Sequence, residues 1–277
     1  EDIDGTRART DFTTAIFEDI AWLGLAWEEP VLRQSERFDA YRESLEELQK
    51  LGLLYPAFLS RAEIQTAVAQ LEQSGRSWPR DPDGAPLYPG PERDWPGARR
   101  RAEIASGRPY TLRLDMGRAI QAAGPLTWRE GNPLLAAPRQ VLGARPAEWG
   151  DVVLARRDVQ ASYHLAVVVD DAFQGVTDVV RGKDLQPATS VHRLLQSLLG
   201  LPEPVYFHHR LVLDENGEKL AKSRGSEAIR ARRAAGQSPA QLIAELGLSG
   251  PGEEVPQEHE PGRHGEHPAG VGDERTV

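Results

Sequence analysis

The chain has no cysteine and one methionine, Met116, among its 277 residues. Without thiols there are no disulfides, thiolate zinc sites or cysteine nucleophiles, so any bound metal must sit on oxygen or imidazole. No apolar run approaches the ~20 residues that span a bilayer, and the opening stretch EDIDGTRART has no apolar signal region. A soluble, cytoplasmic protein with no membrane partner is the expectation. No internal repeat is visible. What is present is ordinary globular composition, 39% hydrophobic and 27% charged, enough for one large core or two smaller ones. Glu1 opens the chain and the sole methionine lies far inside it, which reads as a sequence lacking its true N-terminus.

Charge is unevenly placed. Of the formal net charge of −9, a large share sits in residues 250–277, a Pro/Gly/Glu/His-rich stretch expected to be disordered. The rest is only mildly acidic. Lys219, Lys222, Arg224, Arg230, Arg232 and Arg233 face Glu227 alone within residues 219–233, and Arg99, Arg100 and Arg101 stand in a row. Phosphate partners or solvated helix faces account equally well for both patches.

Periodicity supplies the elements. Residues 11–25 read as a helix with Asp11 as N-cap, residues 35–51 as a second with Ser35 as cap and Gly52 as stop, and residues 60–73 as a third beginning at Ser60. Residues 74–96, dense in Gly, Pro, Asp and Arg, read as a long loop marking an insertion. Residues 110–114, 151–155, 176–180 and 205–207 read as strands, and residues 189–199 as a helix. Val167, Val168 and Val169 favour a strand in residues 162–172, yet the apolar spacing also fits a helix, and the segment is read as a helix. Asn216-Gly217 suggests a hairpin over residues 211–220, and two basic helices are expected between residues 226 and 248. Strands alternating with helices imply an α/β sheet, whose ligands gather at the carboxyl ends of the strands.

The sharpest motif is Lys219-Leu220-Ala221-Lys222-Ser223. Two lysines three apart after a turn can close over a polyphosphate as point charges, with Ser223 as a further donor. A solvated basic loop has the same wording. Upstream stand Gln34-Ser35-Glu36-Arg37 with Tyr41, then residues 163–171 (YHLAVVVDD), then residues 179–185 (VVRGKDL). In this order the four blocks resemble the glutamyl class of class I aminoacyl-tRNA synthetases, over nearly everything up to residue 248. Residues 23–41 (LGLAWEEPVLRQSERFDAY) and 200–209 (GLPEPVYFHH) resemble the short paralogues of that class, which join glutamate to the queuosine base in the anticodon loop of tRNA(Asp).

The resemblance implies a Rossmann-like nucleotide-binding α/β domain with an inserted acceptor-type subdomain and a short helical C-terminal segment. The corresponding division is residues 1–58 and 151–218 for the catalytic domain, 59–150 for the insertion, 219–249 for the lysine loop and helical segment, and 250–277 for the tail. It implies ATP as substrate, Mg2+ held mainly by that ATP, glutamate and queuosine-containing tRNA(Asp) as partners, and a monomer. Glu1 would match the glutamate of the family's R-I-E-D element and pair with the substrate ammonium. Arg181 would bind a substrate carboxylate, Tyr163 would wall the same pocket, and Lys222, assisted by Lys219, would stabilise the leaving pyrophosphate. Asp170 and Asp171 read as structural acids, and His208 as a satisfied structural histidine.

Two departures matter. The family's H-x-G-H element, upstream of R-I-E-D, is missing from these residues, so the expectation is that the 277 residues do not activate glutamate. The short paralogues often hold zinc through C-x-C and Y-x-x-x-C; here the positions are Ala57, Leu59, Tyr88 and Glu92. One tyrosine and one carboxylate do not make a usual structural zinc site, so packing of Leu59 and the long loop is expected in its place. A shortened synthetase charging tRNA(Glu) and a catalytically dead RNA-binding remnant are the alternative functions.

Overall fold

Apolar residues at helical spacing build the first elements, α1 (Thr10–Trp22) and α2 (Phe38–Lys50). The computed structural model describes residues 2–3, 8–75, 77–135, 137–156, 160–213 and 228–248. The starts of these two helices differ from the sequence reading. Asp11 lies inside the first turn of α1 and pairs with Arg9 at 3.1 Å, so it does not cap. Ser35 sits in a 3-10 turn, Gln34–Glu36, where its N–H and hydroxyl both donate to the Asp2 carboxylate, at 2.8 and 2.7 Å. Helix α2 buries Tyr41, Leu45 and Leu48. Gly52, at φ 69°, ends it and turns the chain into β1 (Leu54–Ala57). Helix α3 (Arg61–Gln73) starts at Ser60 as expected, through a reciprocal capping box with Glu63.

Residues 74–150 hold more regular structure than their glycines and prolines suggest. Helix α4 (Gly97–Ala105), strand β2 (Thr111–Leu114), helix α5 (Met116–Ala123), and strands β3 (Thr127–Glu130) and β4 (Gln140–Gly143) all lie here. Apart from β2, expected at residues 110–114, each is too short to display a convincing period. Strand β5 (Val153–Arg156) follows, two residues later than expected. It joins β1 and β2 in an antiparallel sheet of order β1-β2-β5, with Leu54 opposite Leu114 and Leu112 opposite Ala155.

The Tyr88 and Glu92 positions are tied to the end of β1 by hydrogen bonds. The Tyr88 hydroxyl accepts from the Leu59 N–H at 3.3 Å and donates to Glu92 Oε2 at 2.9 Å. Glu92 Oε1 accepts from the Phe58 N–H at 3.3 Å, and the residue is only 1% exposed. Polar bonding thus ties these positions together, where packing alone was expected.

The ambiguous valine run is helical: α6 (Tyr163–Gln174) is capped by Ser162, buries Leu165, Ala166, Val168 and Val169, and stops at left-handed Gly175. Strand β6 (Asp178–Gly182), helix α7 (Thr189–Leu198) and strand β7 (Val205–His209) follow in alternation. They complete a second sheet of order β4-β3-β7-β6, in which β3, β7 and β6 are parallel and β4 returns antiparallel to β3. One apolar cluster runs through both halves, joining Tyr41 and Leu48 of α2, Leu114, Leu154, Leu165, and Val191 and Leu194 of α7. Helices α8 (Ile229–Ala234) and α9 (Pro239–Glu245) close the described chain. Only α8 is basic, since α9 (PAQLIAE) has neither lysine nor arginine. Residues 214–220 of the expected hairpin, the 219–223 loop and the acidic tail lie outside the described residues. No helix among the described residues is long and apolar enough to cross a membrane.

Candidate active site

The carboxyl ends of the three parallel strands carry the polar residues that sequence patterning alone treats as exceptions. Strand β3 ends at Glu130, β6 at Arg181 and Gly182, and β7 at His208 and His209, with Arg181 in register with His208. Helix α7 begins beside them and contributes Thr189 and His192, both essentially fully buried. Arg181 is the centre. Its Nε donates to His208 Nε2 at 3.1 Å, Nη1 to His192 Nδ1 at 3.0 Å and Nη2 to Thr189 Oγ1 at 2.7 Å. The guanidinium lies 5.2 Å from the centre of the Tyr206 ring. Behind His208, Nδ1 donates to Glu130 at 2.9 Å. Gly182 leaves room at this edge, because a Cβ there would fall 2.5 Å from Asp184 Oδ1 and 3.2 Å from Leu211 Cδ2.

These contacts fix protonation. A guanidinium can only donate, so His192 Nδ1 and His208 Nε2 must be bare acceptors. His192 therefore carries its proton on Nε2 and donates to His164 Nδ1, 3.1 Å away. Burial lowers the pKa of all three imidazoles, that of His164 to about 4. The positive charge of Arg181 adds to each depression, while at His208 the Glu130 carboxylate opposes it. Asp171 on α6 moves the other way, its pKa raised to about 6 mainly by burial, with Arg181 opposing. Among the described residues no carboxylate pairs directly with Arg181.

Tyr163 opens helix α6 and packs edge-on against His192, with ring centroids 5.6 Å apart. It also lines a cavity of about 1390 Å³ with His164, Trp149, Arg113, Tyr88 and Asp2. Tyr163 and Arg181, the two expected site residues within the described chain, thus meet through His192. Glu1, Lys219 and Lys222 lie outside the described residues, although Asp2, next to Glu1, borders the cavity that Tyr163 lines.

The Gln34-Ser35-Glu36-Arg37 block serves as a clamp. Gln34 Nε2, Arg37 Nε and the Tyr41 hydroxyl donate to the Asp170 carboxylate at 3.3, 3.1 and 2.6 Å, while Ser35 holds Asp2. Asp170 is buried and structural, as its sequence reading held. Burial first, and then the Asp170 carboxylate, push the Tyr41 phenol well above its ordinary pKa. The block thereby ties α2 and the opening residues to helix α6. His208 is hydrogen-bonded at both ring nitrogens, as a satisfied histidine should be, yet one of those bonds holds Arg181.

Sequence reasoning missed Glu130, Thr189, His192 and His164. One signal was available. Thr189, His192, Arg193 and Gln196 follow i, i+3, i+4, i+7 spacing on α7, a polar stripe on a helix whose first eight residues are all buried.

Comparison with known proteins places this arrangement in context. The family model described as tRNA synthetases class I (E and Q), catalytic domain, matches residues 1–260. The chain is 43% identical to the glutamyl-Q tRNA(Asp) synthetase of Rhodobacter capsulatus over 252 residues, 90% of this chain and 86% of that protein. It is 39% identical to the glutamyl-Q tRNA(Asp) synthetase of Nocardia farcinica, covering 71% of it. Against the glutamate–tRNA ligase of Aquifex aeolicus the identity is 31%, and the match spans only 49% of that protein. Among solved structures, the glutamate–tRNA synthetase of Elizabethkingia anophelis superposes with a TM-score of 0.62 at 25% identity, over 81% of this chain and 45% of that one. With a family match over residues 1–260 and relatives at 39–43% identity, the chain belongs to the class I tRNA synthetases of the glutamate and glutamine type.

Proposed function

We propose that this protein activates glutamate with ATP and transfers it to the queuosine base of tRNA(Asp). An α-carboxylate oxygen of glutamate attacks the α-phosphorus of ATP and pyrophosphate leaves, giving glutamyl-adenylate. A cyclopentene-diol hydroxyl of queuosine then attacks the adenylate carbonyl, loses its proton and expels AMP. Arg181 binds a substrate carboxylate and Tyr163 walls the pocket. Glu1 pairs with the substrate ammonium. Lys222, with Lys219, stabilises charge on the departing pyrophosphate. Magnesium arrives on the nucleotide's phosphates.

The observation that carries this reading is Arg181 itself. It is a half-buried cation at the end of a parallel strand, held by three neutral acceptors and free of any carboxylate partner among the described residues. Choice of acceptor rests on relatives: the glutamyl-Q tRNA(Asp) synthetases match over 71–86% of their lengths, the Aquifex glutamate–tRNA ligase over 49%.

The test is acceptor choice. Radiolabelled glutamate should become base-linked on tRNA(Asp) that contains queuosine and not on the same tRNA lacking it. Labelling of the terminal ribose of tRNA(Glu) would overturn the queuosine assignment. Glutamate-dependent ATP–pyrophosphate exchange isolates the first step.

A further inference from the structure

We propose that His192 and the Glu130–His208 pair are positioning residues that aim Arg181 at a substrate carboxylate without pairing it directly to a carboxylate of the protein, and so set the preference for an acid over its amide. The inference rests on the reading of Arg181 as a carboxylate-binding residue.

A guanidinium has five N–H donors. Three are taken, by His208 Nε2, His192 Nδ1 and Thr189 Oγ1. One N–H on each terminal nitrogen remains. Had the three acceptors included a carboxylate, the Coulomb field of Arg181 would be largely cancelled where a ligand arrives. Neutral imidazole and hydroxyl acceptors fix its direction without that cancellation.

The acceptors can only act in this way in single tautomers, and each tautomer is enforced by a residue farther back. Glu130 accepts the Nδ1 proton of His208 and turns bare Nε2 toward Arg181. His164 accepts the Nε2 proton of His192 and turns bare Nδ1 toward it. The Thr189 hydroxyl lies 3.2 Å from His208 Nε2, so it can donate there while accepting from Arg181. Every element packed around the guanidinium contributes: Glu130 from β3, His164 and Asp171 from α6, Thr189 and His192 from α7, and Tyr206 and His208 from β7. The one nearby acid on α6, Asp171, has a raised pKa, which weakens its compensation of the arginine at mildly acidic pH.

A merely structural polar cluster would make a different prediction. Disrupting it would loosen binding of any ligand alike and lower stability, without changing discrimination between L-glutamate and its neutral isostere L-glutamine. Equilibrium titration of the protein with both amino acids separates the two. In His192→Leu, affinity for glutamate should fall about tenfold or more, as for loss of a hydrogen bond to a charged group, while affinity for glutamine stays unchanged. His192→Asn, whose Oδ1 stands near the Nδ1 position, should restore glutamate affinity to within about threefold of the parent. Equal losses for both ligands, or no loss, would overturn the proposal. Failure of the parent protein to prefer glutamate would instead overturn the underlying reading of Arg181.

A second measurement needs no variant. Imidazole ¹⁵N spectra should show His192 as the Nε2–H tautomer and His208 as the Nδ1–H tautomer at pH 7. The opposite tautomer at either residue, or a doubly protonated ring at neutral pH, would overturn it.

Discussion

Two polar knots attach to helix α6, and they are built on opposite charge logic. In one, a buried carboxylate, Asp170, is surrounded by donors and faces the cation Arg37 at 3.1 Å. In the other, a cation, Arg181, is surrounded by neutral acceptors. The first knot is compensated and closed, which suits a clamp between helices. The second keeps its charge and two donors in reserve, which suits a ligand. Burial does not distinguish them, since both are substantially buried; the chemical type of the partners does.

The strongest way to break this comparison is to remove Asp170. Asp170→Ala leaves Arg37 without its anion and the Tyr41 phenol without its acceptor, and should lower stability by roughly 3–5 kcal/mol, measured by urea unfolding. A loss below about 1 kcal/mol would mean that the knot is no more than an exposed pair. Arg181→Met is the mirror experiment. It strands no carboxylate, and the three imidazoles can change tautomer, so stability should fall by only about 1–2 kcal/mol. Glutamate affinity, in contrast, should fall by about a hundredfold. A larger loss of stability than for Asp170→Ala would reverse the assignment of roles.

Acid titration sharpens the contrast further. His164 has a folded pKa of about 4, below its ordinary 6.5, so the unfolded chain binds the extra proton first. Its contribution is complete above pH 6.5 and fades as pH falls toward 4. Asp171, raised from 3.8 to about 6, has the opposite sign: it favours the folded state below pH 3.8 and ceases to do so as pH rises through 6. The two oppose each other between pH 4 and 6. Asp171→Asn should therefore steepen the loss of stability on acidification, and His164→Gln should flatten it, as read from unfolding midpoints across that range. The smallest effect belongs to Ser35→Ala. It removes the side-chain half of an exposed contact with Asp2 and should change stability by less than about 1 kcal/mol.

Much of this was legible in the sequence, and the failures have physical causes. Long amphipathic segments such as α2, and capped ones such as α3, declared themselves because many residues repeat one message. Strand β3 did not, because four residues beside a Pro and two Gly offer no period, yet it delivers Glu130 to the site. Ser35 illustrates the opposite error: its type and position suit a cap, and tertiary contact with Asp2 overrides that local preference. Arg181 and Tyr163 could be singled out through the resemblance, whereas Thr189 and His192 lie in a segment read only as a helix and belong to no motif block. Their role depends on which strand end they face, and that is settled by the parallel register of β6 and β7.

Gly182 gives the Arg-Gly pair a meaning beyond charge. Directly after the arginine, it is a position where even one added carbon would collide with Asp184 and crowd Leu211. Residue 181 contributes what a ligand would feel, and residue 182 contributes vacancy. The dipeptide is best regarded as one functional letter, so a variant that preserves the arginine but adds a methyl beside it must first turn the Asp184 carboxylate aside.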